Sequence, residues 1–255
     1  MSSEFFDEAV LEALTLDEFR STAPFPWHHF HGALTPDAFR SLLDDYPPRE
    51  LFQWREGLSG QYYSRPHDRW FLEYRPDKPS RAGRAQKCDL PAVWQRFVDE
   101  LERDDSFYRE HMLHWLGIDR DIELRLTWHL GVNGSEVSPH IDTDKKLGTH
   151  IFYFNTTDDW DPSWGGNLLV LDPGDHSGRD RDFDEFRLAA EIDLLGNRSF
   201  LFKNNHSAWH GVRPLQCPDG SYRRLFNVVY EKPSRSKHSS LTSRLQHKLA
   251  RPRAT

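Results

Sequence analysis

The sequence predicts a mainly β protein: an antiparallel double-sheet core of the sandwich or jelly-roll kind, buttressed by N-terminal helices. Three observations carry that expectation. Beyond Ile122, short runs rich in β-branched and aromatic residues alternate with turns of Gly, Pro, Asn and Asp. Before that point, apolar residues recur at helical spacing. Across the 255 residues, 9 Trp and 17 Phe supply enough bulky apolar surface for a core, which excludes a disordered chain.

Taken in order, residues 4–19 place Phe5, Phe6, Ala9, Val10, Ala13, Leu14 and Leu16 at helical intervals. Residues 24–30 carry two prolines, each of which pushes its predecessor toward extended geometry. Thr35-Pro36 then opens a helix as N-cap and first turn, with Ala38, Phe39, Leu42, Leu43 and Tyr46 inward and Pro47-Pro48 as its stop. Further helices are expected from Leu90-Pro91 to Leu101 and from Asp105 to Leu116, the latter ended by Gly117. Strands are expected at 122–130, 149–155, 167–171, 199–202 and 224–230, and 172–191 reads as a charged, mobile loop insert. With no repeat or low-complexity linker, 1–255 is expected to be one domain: helical support over 1–119, jelly-roll core over 120–232 and a basic tail over 233–255.

Charge and cysteine content narrow the function. The chain carries a net −7, yet the residues from Glu231 onward sum to +6. An acidic body lacks the basic face that phosphate neutralisation needs, so no nucleic-acid partner is expected. Leu241, Leu245 and Leu249 recur every four residues in the tail, as in a helix that docks on the body. Two cysteines, Cys88 and Cys217, exclude a disulfide scaffold or a four-cysteine zinc site. No apolar run is long enough for a membrane span and the N-terminus has no signal-peptide pattern, so a cytoplasmic location is expected.

Among 14 histidines, one group stands apart. His140-Ile141-Asp142 follows a strand and the turn Gly131-Val132-Asn133-Gly134; on extended backbone, positions i and i+2 project to one side. His210, in Trp209-His210-Gly211-Val212, offers a third ligand after a strand. Two histidines and a carboxylate form the facial set of non-haem Fe(II) oxygenases, which leaves positions open for a co-substrate and O₂. His206, four residues earlier, competes for the third position.

The ordered series Gly131–Asn133, His140-Ile141-Asp142, 149–155, Trp164-Gly165-Gly166-Asn167-Leu168, His210-Gly211-Val212-Arg213-Pro214 and 224–230 resembles the 2-oxoglutarate/Fe(II) dioxygenase superfamily, in its prolyl-4-hydroxylase-like branch. The resemblance covers about residues 120–232 and, more faintly, 24–47. It implies a double-stranded β-helix, with Fe(II), 2-oxoglutarate and O₂ as cofactor and co-substrates and His140, Asp142 and His210 as metal ligands. The Gly-Val-x-Pro following His210 favours it over His206. An arginine opening the last strand is then expected to pair the distal carboxylate of 2-oxoglutarate, because a guanidinium grips carboxylate as a planar fork. Arg223 and Arg224 face opposite ways; the family's Arg-x-φ-x-φ-φ-aromatic register points to Arg224. Tyr153 matches a tyrosine that helps hold the same carboxylate, and Thr149 shares its strand face. The implied reaction releases succinate and CO₂ and hydroxylates a C–H bond, and Asp142 closes the halogenase option, in which a small residue replaces the carboxylate.

The substrate expected is a small molecule of amino-acid, sugar or natural-product type, with a peptide, including a prolyl one, as the alternative. Residues 61–70 and His129 are candidate contacts. A non-catalytic jelly-roll binding module and a zinc or manganese enzyme of cupin type are the rival classes; a co-substrate anchor speaks against the first.

Overall fold

The computed structural model describes residues 2–58, 67–76, 78–119, 121–174 and 182–233. The helix expected in the tail lies outside them, as do residues 61–66 of the candidate substrate segment. Among the described residues the strands, in chain order, are β1 (Trp27–His31), β2 (Gln53–Leu58), β3 (His67–Tyr74), β4 (Glu123–Gly131), β5 (Val137–His140), β6 (Lys146–Tyr153), β7 (Leu168–Asp172), β8 (Arg187–Ile192), β9 (Arg198–Lys203), β10 (His210–Val212) and β11 (Arg223–Glu231). They form a seven-stranded sheet ordered β1-β9-β6-β11-β4-β3-β2 and a four-stranded sheet ordered β5-β10-β7-β8. Every pairing between these strands is antiparallel. This is the jelly roll expected from the sequence.

Period-two alternation decides the layering. On β11, Phe226, Val228 and Tyr230 point outward, beside Leu126 and Trp128 of β4 and Phe152 of β6. The helices cover this face. Those of the support region are α1 (Glu8–Glu12), α2 (Leu16–Ser21), α3 (Pro36–Asp44), α4 (Ala92–Glu102) and α5 (Phe107–Leu116). Trp94 of α4 meets Trp128 at 5.4 Å and Phe226 at 5.1 Å, both edge-on, and Phe97 meets Phe152 at 6.2 Å. These side chains are almost wholly buried. Burial of aromatic area on this scale, at roughly 25 cal/mol per Å², binds the helices to the sheet. The odd-numbered residues of β11 face the smaller sheet and a cavity between the two.

Three expectations need correction. Residues 4–19 do not form one helix: Thr15 starts a second, its hydroxyl accepting from Glu18 N (3.2 Å) while Glu18 accepts from Thr15 N (2.9 Å). The first third is also not only helix and loop, since β2 and β3 extend the large sheet. In β3 the apolar Leu72 and Tyr74 face the helices while Arg69 and Glu73 face the cavity. The polar set therefore points inward, the reverse of the usual signal. Finally, the charged insert contains β8, an edge strand whose Leu188 is 52% exposed.

Candidate active site

The smaller sheet brings the three expected metal ligands together. His140 ends β5 and His210 begins β10, and the two are directly paired across the ladder. Their ring centroids lie 4.2 Å apart. Asp142, just past β5, places Oδ1 3.8 Å from His140 Nε2. The donor atoms of His140, Asp142 and His210 lie within 4.8 Å of one another, and all three residues are buried. His206 is exposed and outside this group.

Backbone carbonyls orient both imidazoles. His140 Nδ1 sits 3.0 Å from Ser138 O, and His210 Nδ1 sits 2.9 Å from Ala208 O. A carbonyl can only accept, so each Nδ1 carries the hydrogen and each Nε2 keeps its lone pair for a metal. Burial, reinforced at His140 by the neighbouring His210, depresses both pKa values and keeps the rings neutral. Burial pushes the Asp142 carboxyl upward, but the Lys146 ammonium, through its charge and its hydrogen bond, outweighs it and holds Asp142 well below the usual carboxylate range. The donor set is thus two neutral imidazoles and one carboxylate, suited to a divalent metal.

Local structure fixes these positions. Lys146 Nζ donates to Asp142 Oδ1. Asn204 donates to the carbonyls of Asp142 (3.3 Å), Thr143 (3.0 Å) and Lys146 (3.0 Å), pinning the turn that carries the carboxylate. After His210, Gly211 leaves no room for a side chain: a Cβ would fall 2.8 Å from both Val137 O and the Phe183 ring. Lys146 and Asn204 were missed in the sequence, because neither spacing nor residue type distinguishes them from surface groups.

The cavity has a volume of about 470 Å³ and receives His140, Asp142, His210, Thr149, His129 and Arg223 on its walls. The expected anchor, Arg224, lies on the opposite face. It donates to Phe154 O (2.9 Å) and pairs with Asp159 outside the cavity. Ladder register is the reason: Leu225 pairs with Tyr153, so Tyr153 shares a face with Arg223 and Leu225, not with Arg224. Arg223 is buried, donates to Gly166 O (2.6 Å) and stands 5.4 Å over the Tyr153 ring. Gly166, at φ 98°, permits that approach, since a Cβ there would meet the Arg223 Cδ at 3.1 Å. Tyr153 lies behind the wall rather than on it.

Two orphaned donors mark this end of the cavity. Thr149 Oγ1 is buried with no hydrogen-bond partner among the described residues, and the buried Tyr153 hydroxyl, beside the Arg223 donor, has no acceptor for its own proton. Burial raises the Tyr153 pKa to about 12 against the opposing Arg223 charge, so the hydroxyl keeps its proton. Arg223 remains a cation although burial lowers its pKa. One buried cation and two unmatched hydroxyls fit a carboxylate, as the metal donors fit Fe(II).

Residues 126–231 match the family model described as the 2OG-Fe(II) oxygenase superfamily. Among solved structures, a Pseudomonas putida prolyl-4-hydroxylase is 16% identical, with a TM-score of 0.56 over 89% of this chain and 99% of that one. A Trichoplax adhaerens prolyl hydroxylase, solved in complex with a hypoxia inducible factor oxygen degradation domain peptide fragment, is 13% identical with a TM-score of 0.55, over 96% and 94%. The non-heme alpha ketoglutarate dependent carbocyclase SnoK from nogalamycin biosynthesis is 14% identical with a TM-score of 0.52, over 91% and 92%. At these identities the likeness is one of fold. No curated protein matches the chain by sequence.

Proposed function

We propose that the chain, whose residues 126–231 match the 2OG-Fe(II) oxygenase superfamily model, is a 2-oxoglutarate-dependent dioxygenase that hydroxylates a C–H bond of a small molecule. The carrying observation is a cavity of about 470 Å³ onto which the three ligands, Arg223 and Thr149 all open. That volume is typical of small-molecule sites.

His140, Asp142 and His210 are the residues that would hold Fe(II). Bound there with 2-oxoglutarate, the metal supplies oxygen activation coupled to release of succinate and CO₂. The protein's part is binding and orientation. Ser138 and Ala208 carbonyls keep the imidazole lone pairs on the cavity. Lys146 and Asn204 hold the carboxylate and its turn. Arg223 would pair the distal carboxylate of 2-oxoglutarate, with Tyr153 and Thr149 as further donors. The apolar walls, Ile151, Leu168 and Phe202 among them, exclude water and strengthen each of these interactions.

A peptidyl proline substrate is the second reading, supported by the fold shared with two prolyl hydroxylases. One screen separates the two. Anaerobic Fe(II) and 2-oxoglutarate should give a visible charge-transfer band. Succinate release in air should then be stimulated by small molecules and not by proline peptides. Absence of both band and succinate would overturn the assignment of the site.

A further inference from the structure

The cavity is far more basic than the chain. Among the described residues, eight Lys and Arg side chains line it against three carboxylates, Glu73, Asp142 and Glu231. Those carboxylates are already committed. Glu231 meets Arg75 (3.0 Å), Arg125 (2.9 Å) and Lys145 (2.6 Å); Glu73 meets Arg75 (3.1 Å); Asp142 holds Lys146. None pairs with Arg55, whose Nε is buried without a hydrogen-bond partner. Its guanidinium lies over Phe71, 4.7 Å from the ring centre.

Arg55 is also directly opposite Arg69 in the β2–β3 ladder, with both side chains on the cavity wall. Two guanidiniums thus stand side by side on one sheet face, an arrangement suited to gripping a carboxylate or phosphate. Beside them, Arg69 Nη1 donates to His129 Nδ1 at 3.2 Å. That places the ring hydrogen on Nε2, which is buried and has no partner. Burial, followed by the Arg69 charge, holds His129 neutral, so Nε2 is a fixed neutral donor.

The 2-oxoglutarate carboxylate does not account for this cluster. In the sheet order β11-β4-β3-β2, Arg55 stands three strands from Arg223. At the usual spacing between strands that is on the order of 14 Å, beyond the reach of a five-carbon diacid already held at Arg223 and the metal.

We propose that the substrate is a small-molecule acid whose anionic group, a carboxylate or a phosphate, is held by Arg55, Arg69 and His129 Nε2. The inference rests on the reading of the cavity as an oxygenase site, and the wall across from the metal ligands is then its specificity-determining surface. Phe71, between Arg55 and His129 (5.2 Å from the latter ring), offers an apolar face to the body of the same molecule.

The test is binding to the full chain loaded with Mn(II) and 2-oxoglutarate, followed by calorimetry. Three phenyl probes are compared: benzoate, phenyl phosphate and neutral benzamide. At least one anion should bind saturably and ten times or more tighter than benzamide, and the better of the two identifies the carboxylate or phosphate source. Arg55→Met and, independently, Arg69→Met should each weaken the anion tenfold or more, while Arg55→Lys recovers part of the loss. The 2-oxoglutarate titration of the anaerobic Fe(II) band should move less than twofold in Arg55→Met. The proposal fails if benzamide matches both anions or if neither Met variant weakens the anion. It also fails if Arg55→Met weakens 2-oxoglutarate equally, since the cluster then belongs to the co-substrate. A wild-type protein without the Fe(II) band would sink the oxygenase site instead, a distinct result.

Discussion

Replacing Arg223 by Met removes one cation from the cavity end while keeping its aliphatic stem. If Arg223 pairs the distal carboxylate, the variant leaves that carboxylate desolvated and unmatched. Breaking a buried ion pair by removing one partner costs about 3–5 kcal/mol. At about 1.4 kcal/mol per decade, 2-oxoglutarate affinity should fall by roughly two to three and a half orders of magnitude. Arg224 provides the internal control, because its side chain is 26% exposed and its partner Asp159 is 33% exposed. A pair in that setting contributes at most about 1 kcal/mol, and to stability only. Arg224→Met should therefore shift 2-oxoglutarate affinity less than about fivefold. The assay is anaerobic titration of 2-oxoglutarate into the Fe(II) protein, read from the visible band. A melting curve runs alongside, because Arg223 also satisfies the Gly166 carbonyl (2.6 Å). Equal losses from the two variants, or less than tenfold from Arg223→Met, would refute the register reasoning.

His210→Ala should abolish the Fe(II)–2-oxoglutarate band while His206→Ala preserves it; the opposite pattern would reassign the third ligand. Gly211→Ala should lower stability by about 1–3 kcal/mol through overpacking, since its Cβ would meet a backbone oxygen 2.8 Å away, and a melting curve unchanged from wild type would contradict that fit. Metal-free protein should melt at progressively lower temperature as pH falls below about 6.5, the ordinary His value. His150, buried between Tyr108 (3.0 Å) and Ser199 (2.9 Å), has a folded pKa pushed well below that value by burial. Its unfolded form takes up a proton first, so stability is full above 6.5 and is lost on acidification toward the folded value. His150→Asn should flatten the slope, and melting temperatures that rise on acidification would contradict the sign.

What the sequence made legible follows from which signals are local. The helix start at Thr35-Pro36 and the helix stop at Gly117 are written in capping chemistry, and the structure has both. His140-x-Asp142 is likewise local, because extended backbone aims the pair at one point before any tertiary contact forms. The arginine was not local. Arg223 and Arg224 are adjacent, and only the ladder pairing of Leu225 with Tyr153 decides which faces the cavity. Nothing within β11 carries that pairing, since both faces of the strand alternate through apolar residues. Strands β2 and β3 escaped for a related reason. Pattern reading takes charged residues as solvent-facing, whereas Arg69 and Glu73 face an interior.

That inversion connects fold to chemistry. A sheet with helices on one side must keep its outer face apolar, and β4, β6 and β11 do so with Trp128, Phe152 and Phe226. The inner face is then free to carry charge, provided each group is paired or awaits a ligand. Glu231 shows the paired case: burial raises its pKa, yet Arg125, Lys145 and Arg75 together hold it below the usual range. Glu73 does the same for Arg75 and Arg84. These two carboxylates tie β3, β4 and β11 into a stiff ionic floor at one end of the cavity. Two of the cavity's cations have no such partner among the described residues. Arg223 stands against Tyr153 and Arg55 against Phe71, each on an aromatic face rather than a carboxylate. A guanidinium on a ring stays oriented without a carboxylate partner, and so keeps its charge for an incoming anion. A chain of net −7 thus presents a positive interior to its ligands, because strand alternation lets the two faces of one sheet follow opposite rules.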